Sequence, residues 1–154
     1  MPIPEYIKKI REKVGNDIVI MPCAAVFVYK GRKLLLQKRK DNLCWAIHGG
    51  SIEIGEKTED AAARELFEET GLIANKLELL GVFSGENMML TYPNGDRTYI
   101  IGICYTCDDF SGEIINETDE TLELKWFDID DLPETLHTPD IEPMKAFLEH
   151  IKQK

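Results

Sequence analysis

Residues 50–72 read GSIEIGEKTEDAAARELFEETGL, and everything else in the chain is best read outward from their spacing. Gly50 is followed after five residues by Glu56, and after seven more by Arg64, Glu65, Leu66, a variable position, Glu68, Glu69, a second variable position, Gly71 and Leu72. Seven of these positions are fixed residue types and two are aliphatic. At a chance of roughly one in fifteen per fixed residue, the pattern arises by accident on the order of once in 10^8 starting points.

Local physics points the same way. Thr58 reads as an N-cap, Glu59 and Asp60 as first-turn acids and Gly71 as a stop, which predicts a helix over about 59–70. At about 100° per residue, Glu65, Glu68 and Glu69 share one stripe, and Ala62, Ala63, Leu66, Phe67 and Thr70 fill the opposite side. One face is expected to be core and the other carboxylate. Like charges at i,i+3 and i,i+4 cost about 0.2–0.5 kcal/mol per pair, and acids near a helix C-terminus oppose its dipole as well. A hard divalent cation offsets that repulsion, and Mg²⁺ is held by a few carboxylates together with waters and substrate phosphates. The plainer alternative is a solvated acidic face with Arg64 paired to Glu68 at i,i+4. Gly50, Glu56 and Gly71 in register favour the cation.

At every specified position this segment resembles the signature box of the Nudix hydrolase family. The resemblance implies an α/β fold, an α/β/α sandwich with a mixed β-sheet. It also implies Mg²⁺-dependent cleavage, with Mn²⁺ as an alternative, of the pyrophosphate linkage in a nucleoside diphosphate derivative or nucleoside triphosphate by water attack on phosphorus. By that likeness Glu65, Glu68 and Glu69 bind metal, with the Gly49 backbone carbonyl as a further ligand. Arg64 orients the acids by ion pairing, and Gly50 and Glu56 support the loop. One residue departs from the family: His48 stands where proline is frequent before the two glycines. Beside the phosphate loop, His48 is a candidate substrate contact.

Length and charge bound the rest. The 154 residues are expected to form a single domain, 1–154, with 1–16 as an N-terminal helical extension. A net charge of −10 counts against a nucleic-acid polymer as substrate, because such binding comes largely from Lys and Arg neutralising phosphates. A small nucleotide bridged by metal is easier to reconcile with it. No apolar run reaches about 18 residues and the N-terminus lacks a basic-then-apolar leader, so no membrane partner and a cytoplasmic location are expected. Cys104 and Cys107 lie on a predicted strand where residues three apart face opposite ways, so the four cysteines read as reduced and mostly buried.

Along the chain, Tyr6–Val14 predicts a short helix that either caps the sheet or contributes to a homodimer. Asp17–Tyr29 and Lys33–Lys38 read as a hairpin covered on both faces, and Leu43–Gly55 as a long loop. Strands are expected over Lys76–Ser84, Met88–Tyr92, Arg97–Cys107 and Leu122–Phe127. Asn94-Gly95 should supply the positive φ of a tight turn. Ile141–Ile151, with Met144, Phe147, Leu148 and Ile151 on one stripe, predicts a closing helix.

Outside the box, Glu120 lies in a loop before a strand, where relatives place another acid, and Glu117 is the second choice. Arg39, after Lys38, is a candidate phosphate contact. Trp45, Phe83, Tyr92, Tyr105 and Trp126 are candidates to stack on a base, although aromatic residues on strands more often build core. His137 and His150 are assigned no role. The proton of the attacking water is expected to pass to Glu65, Glu68 or Glu120. Two alternatives stand beside the small-molecule hydrolase: an enzyme trimming RNA 5′ ends, disfavoured by charge, and a non-catalytic nucleotide sensor, disfavoured by the intact acids.

Overall fold

The computed structural model describes residues 3–154, so the first two positions of the expected 1–16 extension lie outside the described residues. The spine of the sheet is β1 (Val19–Lys30). It runs parallel to β7 (Arg97–Gly112) along one edge and antiparallel to β4 (His48–Ser51) and β2 (Lys33–Arg39) along the other. β2 also pairs with β3 (Trp45–Ala46) and β8 (Thr121–Asp128), and β7 with β5 (Leu72–Phe83) and β6 (Met89–Thr91). One parallel pair among antiparallel ones makes the sheet mixed.

Strand alternation divides the apolar residues into two cores. Val26, Val28, Leu35 and Cys107 face one of them, where α2 (Thr58–Thr70) contributes Ala61, Ala62 and Leu66. Phe27, Tyr29, Leu34 and Cys104 face the other, where α3 (Ile141–Lys152) contributes Met144 and Phe147. Phe147 stacks on Phe27 with ring centroids 4.7 Å apart. Both sheet faces are therefore covered, as the unbroken apolar character of β1 predicts, and the layers form an α/β/α sandwich. The opposite placement of Cys104 and Cys107 removes them as a ligand pair, and the four cysteines are free thiols.

Helix α1 (Glu5–Val14) lies across the start of β1, burying Ile7 against Val19 and Met21. The Tyr6 hydroxyl donates to the Ile52 carbonyl at 2.6 Å, and the Arg11 guanidinium donates to the carbonyls of Asp17 and Arg97. The capping role expected for this helix is thus what the described residues display.

Three expectations need correction. The Leu43–Gly55 segment contains β3, two residues paired back onto β2, and β4, four residues paired with distant β1; both are too short to carry an alternation to read. β5 starts at Leu72, directly after the helix stop, rather than at Lys76. In the β6–β7 turn only Gly95 takes a positive φ, 90°; Asn94 instead accepts the Asp96 backbone N–H with its side-chain oxygen at 3.0 Å.

Candidate active site

The site is built on α2 and the strand it packs against. Gly71 ends the helix in the left-handed region at φ 81°, with its N–H bonded to the Phe67 carbonyl. The expected Thr58 N-cap is not found. Lys57 occupies that position without a side-chain cap, and the Thr58 hydroxyl lies 2.7 Å from the Tyr105 hydroxyl, tying the helix start to β7.

The expected division into a core face and a carboxylate face is also corrected. Glu65 and Glu69 are 3% and 7% exposed and share the buried face with Ala61, Ala62 and Leu66, whereas Phe67 is 54% exposed. The alanines let the helix approach the sheet, and the acids turn inward because partners await them there.

Arg64 gathers most of these partners. Its Nε and Nη2 donate to the two Glu56 oxygens at 2.8 and 3.0 Å, and Nη1 donates to Glu65 at 3.0 Å and Glu68 at 3.4 Å. Nη2 also donates to the Ser51 carbonyl at 3.1 Å, so one guanidinium joins loop, helix and β4. These bonds hold the Glu56 carboxyl below its ordinary range and the guanidinium above its own. The bland Arg64–Glu68 pair is present, but as the outermost arm of this network.

Glu69 is held from the sheet side. Its Oε2 accepts from Gln37 Nε2 at 2.7 Å and from the Gly49 backbone N–H at 3.0 Å. Gly49 must be glycine, because a Cβ there would stand 2.5 Å from the Ala24 carbonyl and 2.7 Å from the Ala25 Cβ. Burial raises the Glu69 carboxyl well above its usual range, and the Glu65 charge adds to the effect. Burial raises Glu65 too, partly offset by Arg64.

These residues suit a hard divalent cation. Buried carboxylates whose charged form is disfavoured gain most from a cation beside them. Among the described residues no three Asp, Glu, His or Cys side chains already form a closed cluster. Mg²⁺ does not need one, since it keeps several waters and uses one or two carboxylates plus substrate phosphates.

A cleft of about 1040 Å³ opens beside this network, bordered by Glu69, Gly49, Gln37, Arg39 and Glu120 and, from α1, by Ile7 and Arg11. Glu120 therefore borders the same space as Glu69 and Gly49. Glu117 does not; its exposed carboxylate pairs with Lys40 at 3.5 Å. Arg39 reaches the cleft wall with its guanidinium fixed by Asp41, Nε to Oδ1 at 2.8 Å and Nη2 to Oδ2 at 2.6 Å.

His48 is the site residue that structure moves away from substrate. It is fully buried, with Nε2 3.0 Å from the Leu35 carbonyl and Nδ1 3.4 Å from Gln37 Nε2. Burial lowers its pKa to about 4, so the ring is neutral and packs behind Glu69. Of the five aromatic candidates, Tyr92 borders the cleft, while Trp45 packs edge-on against Phe127 and Trp126 stacks on Phe110.

A smaller slot of about 80 Å³ adjoins the cleft and shares Arg39, Gly49 and Tyr92 with it. Asp140 and His137 line it. Asp140 Oδ2 accepts the Ile47 backbone N–H at 3.0 Å, and burial raises its pKa to about 7. His137 Nδ1 lies 3.1 Å from Asn42 Nδ2, and burial lowers it to about 4. Sequence reasoning missed Gln37, Asp140 and His137. A polar residue inside the apolar run of β2 was the one available signal for Gln37; the other two sit in a connector whose burial is purely tertiary.

Comparison with known proteins matches the NUDIX domain to residues 20–150. An ADP-ribose pyrophosphatase of Methanocaldococcus jannaschii is 38% identical over 137 residues, spanning 83% of this chain and 76% of that protein. A MutT-like protein of Streptomyces ambofaciens is 29% identical over 131 residues, 85% of this chain and 78% of its own length. The crystal structure of a MutT NUDIX hydrolase from Burkholderia pseudomallei superposes with a TM-score of 0.71 at 28% identity, covering 83% of this chain and 98% of that one.

Proposed function

The chain belongs to the Nudix hydrolase family, and on that footing we propose that it hydrolyses the pyrophosphate linkage of a nucleoside diphosphate derivative in the presence of Mg²⁺, with ADP-ribose the first substrate to test. The observation that carries this reading is the inward-turned pair Glu65 and Glu69, braced by Arg64 on one side and by Gln37 and Gly49 on the other, with Glu69 at the edge of a nucleotide-sized cleft. The relative named for ADP-ribose hydrolysis supports the choice of substrate.

Glu65, Glu68 and Glu69 would hold Mg²⁺ or Mn²⁺, with the Gly49 carbonyl as a further ligand. A divalent ion bound there would neutralise the phosphate oxygens and lower the pKa of a bound water. Arg64 keeps Glu65 and Glu68 oriented, and Glu56 keeps Arg64 in place. The fixed guanidinium of Arg39 binds a phosphate or sugar hydroxyl on the cleft wall. Glu120, which shares the cleft with Glu69, takes the proton of the attacking water; Glu65 and Glu68, both bonded to Arg64, are the other two candidate acceptors. The P–O bond of the diphosphate bridge breaks, and the leaving phosphate carries away the bridging oxygen.

The chain itself is proposed to be a single Nudix domain, with α1 as its extension. The test is a panel of nucleoside diphosphate derivatives and triphosphates assayed with Mg²⁺ and with excess EDTA. ADP-ribose should be converted to AMP and ribose 5-phosphate, and EDTA should abolish turnover. Glu120→Gln should lower kcat far more than it raises KM, with Glu117→Gln near wild type. Turnover in EDTA would refute the metal assignment, and equal kinetics in the two variants would refute the role of Glu120.

A further inference from the structure

Gln37 lies in the middle of β2 with its side chain 4% exposed, a costly place for an amide unless every group is paired. Its Nε2 lies 2.7 Å from Glu69 Oε2 and 3.3 Å from the Ile47 carbonyl, and its Oε1 accepts from the Thr121 hydroxyl at 2.6 Å. Thr121 is fully buried. Glu69 Oε2 and the Ile47 carbonyl, with His48 Nδ1 at 3.4 Å beyond them, leave one workable orientation of the amide, since a flip would set Oε1 against a carboxylate oxygen. Thr121 then closes the network from β8 by donating to the oxygen that remains.

The consequence for Glu69 is specific. Gln37 and the Gly49 N–H both act on Oε2, so the carboxyl plane is set by two donors from two strands. Thr121 also follows Glu120 directly, and the Glu120 carbonyl accepts the Lys40 N–H at 2.9 Å. One chain of bonds therefore runs from the helix acid through β2 to the loop that carries the second acid.

We propose that Gln37, oriented by Thr121, is a positioning residue that presents Glu69 to the divalent cation and sets the Glu120 loop in register with it. The inference rests on the reading of Glu69 as a metal ligand. Partners of this outer kind change metal affinity or activity by roughly 10–100-fold when removed.

The test is Mn²⁺ titration of the 154-residue chain, followed by electron paramagnetic resonance, beside kcat and KM with ADP-ribose and melting curves in EDTA. Gln37→Leu should weaken Mn²⁺ binding by about 10-fold or more and lower kcat with little change in KM. Thr121→Val should shift both in the same direction, Thr121→Ser should retain wild-type values, and the double variant should lose less than the sum of its parts. A folded Gln37→Leu protein with wild-type Mn²⁺ affinity overturns the proposal. If that variant does not fold, wild-type affinity in folded Thr121→Val overturns it instead. Glu69→Gln separates the two readings: unchanged Mn²⁺ affinity there removes Glu69 as a ligand, and the inference with it.

Discussion

At the scale of single residues, Glu69 bears an electrostatic cost, being buried, close to Glu65 and raised well above the usual carboxylate range. Glu69→Gln should lower turnover by on the order of 10^2-fold or more. In metal-free buffer the same variant should melt at an unchanged or higher temperature, because a buried like-charge repulsion disappears while Gln37 and Gly49 keep an acceptor. A large fall in that melting temperature would contradict this. Asp140 provides a pH-dependent companion. Its folded pKa of about 7 lies above its ordinary value of 3.8, so its contribution to stability is complete below about 4 and is lost as pH rises towards 7. His48 and His137, lowered from 6.5 to about 4, act in the opposite sense, and their contribution is lost as pH falls through that window. Asp140→Asn removes only the first effect, so its melting temperature relative to wild type should rise between pH about 4 and about 8. A difference independent of pH would refute the assignment. Box residues such as Glu56, Arg64 and Glu65 were legible in the sequence because their spacing is local; Gln37, Asp140 and the burial of His48 were not, because their partners come from other strands.

At the scale of elements, α2 shows where periodicity misleads. Spacing correctly placed the three glutamates on one stripe, but pattern alone assigns charge to solvent, and the core here admits two of them because Arg64, Gln37 and a backbone N–H come to meet them. The small strand β4 is the other hidden element. Its close approach to β1 depends on Gly49, and an added Cβ would collide with backbone rather than with a movable side-chain end. Gly49→Ala should therefore cost about 1–3 kcal/mol by overpacking. It should also displace the N–H that holds Glu69, so activity should fall even where the protein remains folded. Denaturant titration beside a turnover assay checks both, and a variant equal to wild type in each would show that β4 can move. The longer elements α1, β1, β2 and α3 were readable within a few residues because each carries its own apolar run or stripe, whereas β7 continues past its expected end at Cys107 to Gly112.

At the scale of the whole molecule, a chain of net charge −10 is read as an enzyme for an anionic substrate. The two are compatible if divalent ions gathered by the buried acids carry the phosphate contacts, which is why metal dependence and hydrolysis stand or fall together. Among the described residues no helix is long and apolar enough to cross a membrane. Helix α1 lies before the matched family region of 20–150 and borders the cleft, so residues outside that region shape the space that a substrate would enter. Carboxylates dominate the site, and in the proposed reaction water itself forms the new bond. The most direct test is hydrolysis of ADP-ribose in ¹⁸O-labelled water with Mg²⁺, followed by mass spectrometry of the products. The account predicts AMP and ribose 5-phosphate, with one label on the phosphate of one product. Orthophosphate as the first product, or a trapped phospho-enzyme, would contradict it.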